Sequence, residues 1–297
     1  MRSVTYILTP LLVLLALVAG SSLLSYGILR LTGDVLPLAK LISKATLVLL
    51  LFSIFPFKRY LRLSWTALGF APVAVFFRQL GFGLLLGLVT LLPVLLTLYA
   101  LDVQVWDDGR TWSSGKLIWK IAVALFLSLL IGLGEEVLFR GLLLSGLRRK
   151  LPLMAAVVVS SLYFALLHFL KSKTQIPYDL QTPASGLYLA VEAFGNWLNP
   201  EIIDALIALF MVGAFLAVVR VSIPNSLGWC MGCHAGWVWQ IKLAKDLFNV
   251  NPQSEYLYLV SAYDGVVGPL VAVWLAVAIV IGLWARRVKA VVSTAVK

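Results

Sequence analysis

Long apolar stretches set the rhythm of this chain, and polar residues fall in the gaps between them. Runs of about 20 apolar residues, each long enough to cross a ~30 Å hydrocarbon core as a helix, recur near 6–29, 36–57, 80–101, 117–147, 153–170, 202–219, 223–241 and 266–285. The pattern predicts an all-α polytopic membrane protein of about eight transmembrane helices, with any active site in the bundle interior. Lys40 and Lys44 fall in the first turns of the second run, where long side chains must snorkel toward the interface. Residues 65–77 are expected to lie along the membrane surface. The first run has no clean small-residue cleavage site and leads into further membrane helices, so it is expected to be retained rather than removed as a signal peptide.

Composition agrees. Hydrophobic residues make up 61% of the 297 and charged residues 12%, with a mean hydropathy of +0.98, well outside the range of soluble domains. The sequence therefore reads as one integral domain. Residues 1–115 carry three spans and residues 116–297 five, the latter holding all the candidate chemistry.

The charges orient the spans. With the N-terminus inside, the inner segments collect Arg2, Lys58, Arg59, Arg62, Arg78, Arg148, Arg149, Lys150, Arg220, Arg286, Arg287, Lys289 and Lys297, and no carboxylate. Every acidic residue outside the spans falls on the other side, together with ten Lys and Arg. Basic enrichment is what orients helices, so both termini are expected to be cytoplasmic, in a bacterial-type inner membrane. The net charge of +11 reads as attraction to anionic lipid, and nothing calls for nucleic acid. The longest connection, 171–201, has an amphipathic middle and is expected to lie on the outer surface as a lid, a re-entrant piece or a spacer.

Three charged residues remain in mid-span: Glu135, Glu136 and Arg140, in "GLGEEVLFRG". Intramembrane charge is costly and by default functional. On an α-helix Glu136 and Arg140 share a face, while Glu135 points about 100° away. The spacing thus predicts one carboxylate neutralised by Arg140 and one open to a partner elsewhere. The bland alternative is a buried clamp that only ties helices together.

Only two histidines occur, and both are at membrane depth: His168 in "FALLH" and His234 in "CHAGWVW". Counted from the nearest inner-face basic residue at ~1.5 Å per residue, Glu135 lies ~20 Å in, His234 ~21 Å and His168 ~27 Å. Three helices can therefore bring these groups to one layer. Carboxylate and imidazole in such a cavity suit hydrolysis, the carboxylate taking a proton from water and an imidazole stabilising the oxyanion. They also suit zinc, although no H-E-x-x-H arrangement is present. Cys230, Cys233 and His234 spell C-x-x-C-H, the c-type haem pattern. Within an apolar helix near the inner face, these cysteines read as small packing residues instead.

"EEVLFR", "FALLH" and "HAGWV", in that order, resemble the three motifs of the CAAX protease and bacteriocin-processing family of intramembrane peptidases. The resemblance covers roughly the C-terminal two-thirds of the chain. It implies that Glu135 activates water together with His168, that Glu136 pairs with Arg140, and that His234 contributes to an oxyanion hole. It also implies a membrane-associated protein or peptide substrate, with no certain cofactor and zinc or another divalent metal as an option. The family commonly has Asn or Asp four residues after the third-motif histidine, where this sequence has Val238. Trp237 or Asn225 is then the candidate second donor. A non-catalytic scaffold or immunity protein, and a transporter using the Glu/Arg pair as an ion relay, are the rival functions.

Overall fold

A computed structural model describes residues 2–34 and 36–295. Lys297 and the side chains of Arg2, Arg286 and Lys289, counted above among inner-face charges, lie outside the described residues. The described chain is mostly helical. Five helical stretches are long and apolar enough to cross a membrane: Val4–Thr32, Leu38–Tyr60, Trp65–Ala100, Ser114–Leu147 and Pro200–Ser222. Leu153–Leu167 and Pro269–Ala285 are apolar but shorter. The seventh expected span is a helix of 21 residues, whose last turns carry Lys242, Lys245 and Asp246.

The chain folds as two compact units, Met1–Leu68 with Val137–Ile203, and Gly69–Glu136 with Asp204–Lys297. In the first unit, α1 (Arg2–Thr32) and α2 (Leu38–Tyr60) pack along one another, with the Ser21 and Thr46 hydroxyls bonded at 2.6 Å between them. A short α3 (Trp65–Leu68) follows. The expected surface segment 65–77 is therefore divided, because Pro72 starts a new helix at Val73.

Helix α2 ends in a Schellman turn, Leu63 N–H to the Lys58 carbonyl and Arg62 N–H to that of Arg59, both at 3.0 Å. This turn places Arg62 at φ +47°, a left-handed position that glycine fills at least cost. After a π-helical stretch, Val137–Leu143, come α6 (Leu144–Leu147) and α7 (Leu153–Leu167).

The connection 171–201 is tied down rather than a bare spacer. Its amphipathic middle is α8 (Ser185–Gly195), whose Leu189 joins Leu38 and Ile42 of α2 in a buried cluster. Arg30 donates to the Gln181 carbonyl at 2.5 Å, and Trp197 to that of Leu166 at 2.9 Å. The Glu192 carboxylate accepts from Ser172 Oγ at 2.6 Å and from Lys173 N–H at 3.1 Å. The Ser172 bond holds this carboxyl below its ordinary range.

The second unit holds α4 (Val73–Ala100), α5 (Ser114–Glu136), α9 (Ile203–Ser222), α10 (Leu227–Leu247) and α11 (Pro269–Ala295). Its organising contact is α10 on α4, made through glycines spaced by four. A Cβ on Gly87 would sit 2.5 Å from the Cys233 carbonyl, and one on Gly236 2.9 Å from that of Leu84. Gly132 brings α5 equally close to α10, where a Cβ would meet the Met231 carbonyl at 2.9 Å. Small residues at this spacing let membrane helices touch backbone to backbone.

A two-stranded antiparallel ribbon, β1 (Gln104–Trp106) with β2 (Phe248–Val250), pairs Gln104 with Val250 and Trp106 with Phe248. It is a small β addition to an otherwise helical fold. Gln104 also donates to the Gly265 carbonyl at 3.1 Å, fixing the connection between α10 and α11. Arg220, expected on the inner face, is only 7% exposed. Its guanidinium lies against Gly69, where a Cβ would collide with it.

Candidate active site

Glu135 and Glu136 are the last two residues of α5, and His234 lies at the middle of α10. Gly132, one turn before the glutamates, is what lets the two helices come this close. His234 Nδ1 is 2.9 Å from Glu136 Oε1, and its Nε2 is 3.9 Å from Glu135 Oε2. The Glu136 side chain is wholly buried, that of His234 is 6% exposed and that of Glu135 28%.

The two carboxylates thus have different tasks. Glu136 is committed to Nδ1, a bond that fixes the orientation of the ring and presents Nε2 to Glu135. The Nε2 to Oε2 distance is too long for a direct hydrogen bond, and an oxygen bonded to both would close it. Glu135 Oε2 is buried and makes no hydrogen bond among the described residues. The expectation that His234 faces an oxyanion had not anticipated its bond to Glu136.

Arg140 and His168 belong to the other unit, where Phe164 organises both. The Arg140 guanidinium lies 4.3 Å from the centroid of the Phe164 ring and is 2% exposed. His168 Nδ1 lies 2.7 Å from the Phe164 carbonyl oxygen, with ring centroids 4.7 Å apart. Since a carbonyl only accepts, Nδ1 carries the proton and Nε2 is the acceptor of the neutral ring. The F-x-x-x-H spacing is what permits this bond, one helical turn back.

Two local details depart from the regular helices assumed for the sequence. Helix α7 ends at Leu167, with His168 as its cap residue. Residues 137–143 are π-helical, so the count of 3.6 residues per turn does not hold through Arg140. Such π segments recur at functional sites.

The donors suggested in place of an Asn or Asp at Val238 are engaged or distant. Trp237 N–H goes to Thr90 Oγ1 on α4 at 2.8 Å. Asn225 lies in the turn before α10, nine residues from His234, or about 13 Å along the helix. The sequence reading missed a third group, the phenol of Tyr263 on the connection between α10 and α11. Burial pushes its pKa up to about 12, and the charges of Asp264 and Glu135 act in the same direction. Its O–H therefore stays protonated near Glu135. The loop is held by Asp264 Oδ1, which accepts from Val266 N–H at 3.0 Å and Val267 N–H at 2.7 Å.

Cys230 and Cys233 are fully buried in α10 and form no disulfide. Cys230 Sγ contacts the Leu216 carbonyl at 3.4 Å, consistent with packing residues. Among the described residues, no three His, Cys, Asp or Glu side chains gather as a metal-holding group. The bond to Glu136 engages only Nδ1 of His234, and a ring held in this way keeps its Nε2 open.

Comparison with known families bears on the same segment. Residues 117–240 match the Rce1-like family, described as type II CAAX prenyl endopeptidase Rce1-like. The matched segment begins in α5, ends in α10 and contains Glu135, Glu136, Arg140, His168 and His234, which supports the family read from the three motifs. Neither the curated proteins nor the solved structures give a match to this chain.

Proposed function

We propose that this protein is a multi-pass intramembrane endopeptidase of the CAAX-processing type, cleaving a membrane-associated protein or peptide through a glutamate-activated water. The observation that carries the reading is the pairing of one imidazole with two unlike carboxylates, Nδ1 on Glu136 at 2.9 Å and Nε2 facing Glu135 at 3.9 Å. The Rce1-like match over 117–240 supports the reaction class.

In this reading Glu135 removes a proton from water, and the water oxygen attacks the scissile carbonyl carbon. The carbonyl π electrons move to oxygen, and His234 Nε2–H, with Nδ1 held by Glu136, stabilises the oxyanion. The proton taken by Glu135 passes to the leaving amide nitrogen as the carbon–nitrogen bond breaks. The motif resemblance implies two further roles, His168 in polarising the water and Arg140 in neutralising Glu136, and no step is routed through a metal. The eight crossings, the inner-membrane location and the cytoplasmic termini belong to the same proposal. They place the buried site within reach of chains tethered to the bilayer.

The test is cleavage of a quenched membrane-peptide library, prenylated and unmodified, by detergent-purified protein with and without a chelator. Cleavage that survives chelation is the expected result. Loss on chelation would make the enzyme a metallopeptidase, and no cleavage of any peptide would favour the scaffold role.

A further inference from the structure

The first unit contains a cavity of about 710 Å³ that the peptidase chemistry does not use. Its walls come from α1, α2, the π-helical stretch, α6 and α7. The volume is in the range of small-molecule sites. Most of the lining is aliphatic or aromatic, and the hydroxyls of Thr9, Ser53 and Tyr163 are already engaged. Thr9 donates to the Thr5 carbonyl at 2.8 Å, Ser53 to that of Leu50 at 2.7 Å and Tyr163 to that of Ile7 at 2.7 Å. The interior thus offers an occupant an apolar surface.

One end differs sharply in charge. Arg62, Arg149 and Lys150 contribute to the lining and no carboxylate does. Tyr6 and Tyr60 stand at the same end, with the Lys150 ammonium 5.4 Å from the Tyr6 ring centroid and Arg149 donating to the Leu61 carbonyl. Tyrosine and basic side chains together mark a bilayer interface. From Leu50 to Tyr60 the helix rises about 15 Å, matching one leaflet of a ~30 Å hydrocarbon core. Arg62 occupies the left-handed Schellman position that glycine fills more easily, so folding alone does not account for an arginine there.

We propose that this cavity is a binding site for an anionic phospholipid, with an acyl chain in the apolar interior and the phosphate held by Arg62, Arg149 and Lys150. Charge decides the occupant. A zwitterionic headgroup brings a cation of its own to three basic side chains with no carboxylate to receive it. An anionic headgroup complements them. The site is independent of the peptidase reading and stands or falls separately.

The test is photo-crosslinking of the full chain in nanodiscs, using phosphatidylglycerol or phosphatidylcholine with a diazirine on the acyl chain and mapping labelled peptides by mass spectrometry. Labelling on 9–14 and 50–57, favouring phosphatidylglycerol, is expected. Lys150→Gln and Arg62→Gly should each lower that labelling about fivefold, the effect of one basic residue at a membrane surface. Arg62→Gly keeps the fold measurable, because glycine suits the left-handed position and the thermal midpoint should not fall. Equal labelling by the two lipids, or labelling unchanged in both variants, would overturn the proposal. Displacement of the label by a farnesylated peptide would also overturn it, since the cavity would then hold substrate.

Discussion

His234 and Glu136, brought together from α10 and α5, share a buried hydrogen bond of 2.9 Å between Nδ1 and Oε1. This contact makes Glu136 the orienting group for the imidazole. Glu136→Gln keeps the size and one acceptor but removes the charge that strengthens the bond to the ring N–H. Peptidase kcat should fall about 10²-fold or more with KM little changed. A parallel loss in KM alone would assign the bond to substrate binding.

The crossing of α4 and α10 depends on missing side chains. A Cβ on Gly232 would meet Leu84 N at 2.7 Å, and neither backbone has room to yield. Gly232→Ala should destabilise the protein by about 1–3 kcal/mol, as overpacking does. Gly81 lies on the same α4 with nothing within 4 Å of its Cβ position. Gly81→Ala should be neutral or stabilising by about 0.5–1 kcal/mol. Thermal denaturation in detergent compares the pair, and equal effects would contradict the packing argument.

Phe164 carries Arg140 on its ring face and His168 on its carbonyl. A double-mutant cycle of Phe164→Leu with Arg140→Met should give a coupling of about 0.5–2 kcal/mol. Zero coupling would mean that the ring only fills space.

Much of this was legible in the chain, for physical reasons. Apolar length is imposed by the bilayer, so long runs such as those that became α1 and α4 stood out. The F-x-x-x-H spacing encodes a one-turn return, which the His168 to Phe164 bond uses. The glycine spacing of α4 and α10 was not read, because a spacing of four names no partner until the helices are packed. The π-helical stretch at 137–143 was not legible, because periodicity arguments assume 3.6 residues per turn. Tyr263 was missed because only tertiary folding brings its loop within the influence of the Glu135 charge.

Tyr263 titrates high because its phenolate would be buried beside carboxylates. An alkaline absorbance titration should show one tyrosine ionising near pH 12, absent in Tyr263→Phe. Its folded pKa lies above the ordinary value, so its contribution to stability is complete below about pH 10. That contribution is lost as pH rises toward about 12. A titration with no step of this kind would place the phenol in water, away from the site.

The most direct measurement is the single-turnover cleavage rate of Glu135→Gln against the wild type, on the best peptide from the library, with circular dichroism and thermal midpoint matched. The variant keeps the shape of the side chain and loses its ability to take a proton. The account predicts a rate lower by about 10²–10⁴-fold, the usual contribution of a general base. A folded Glu135→Gln protein that cleaves at the wild-type rate would contradict the assignment of this glutamate as the water-activating group.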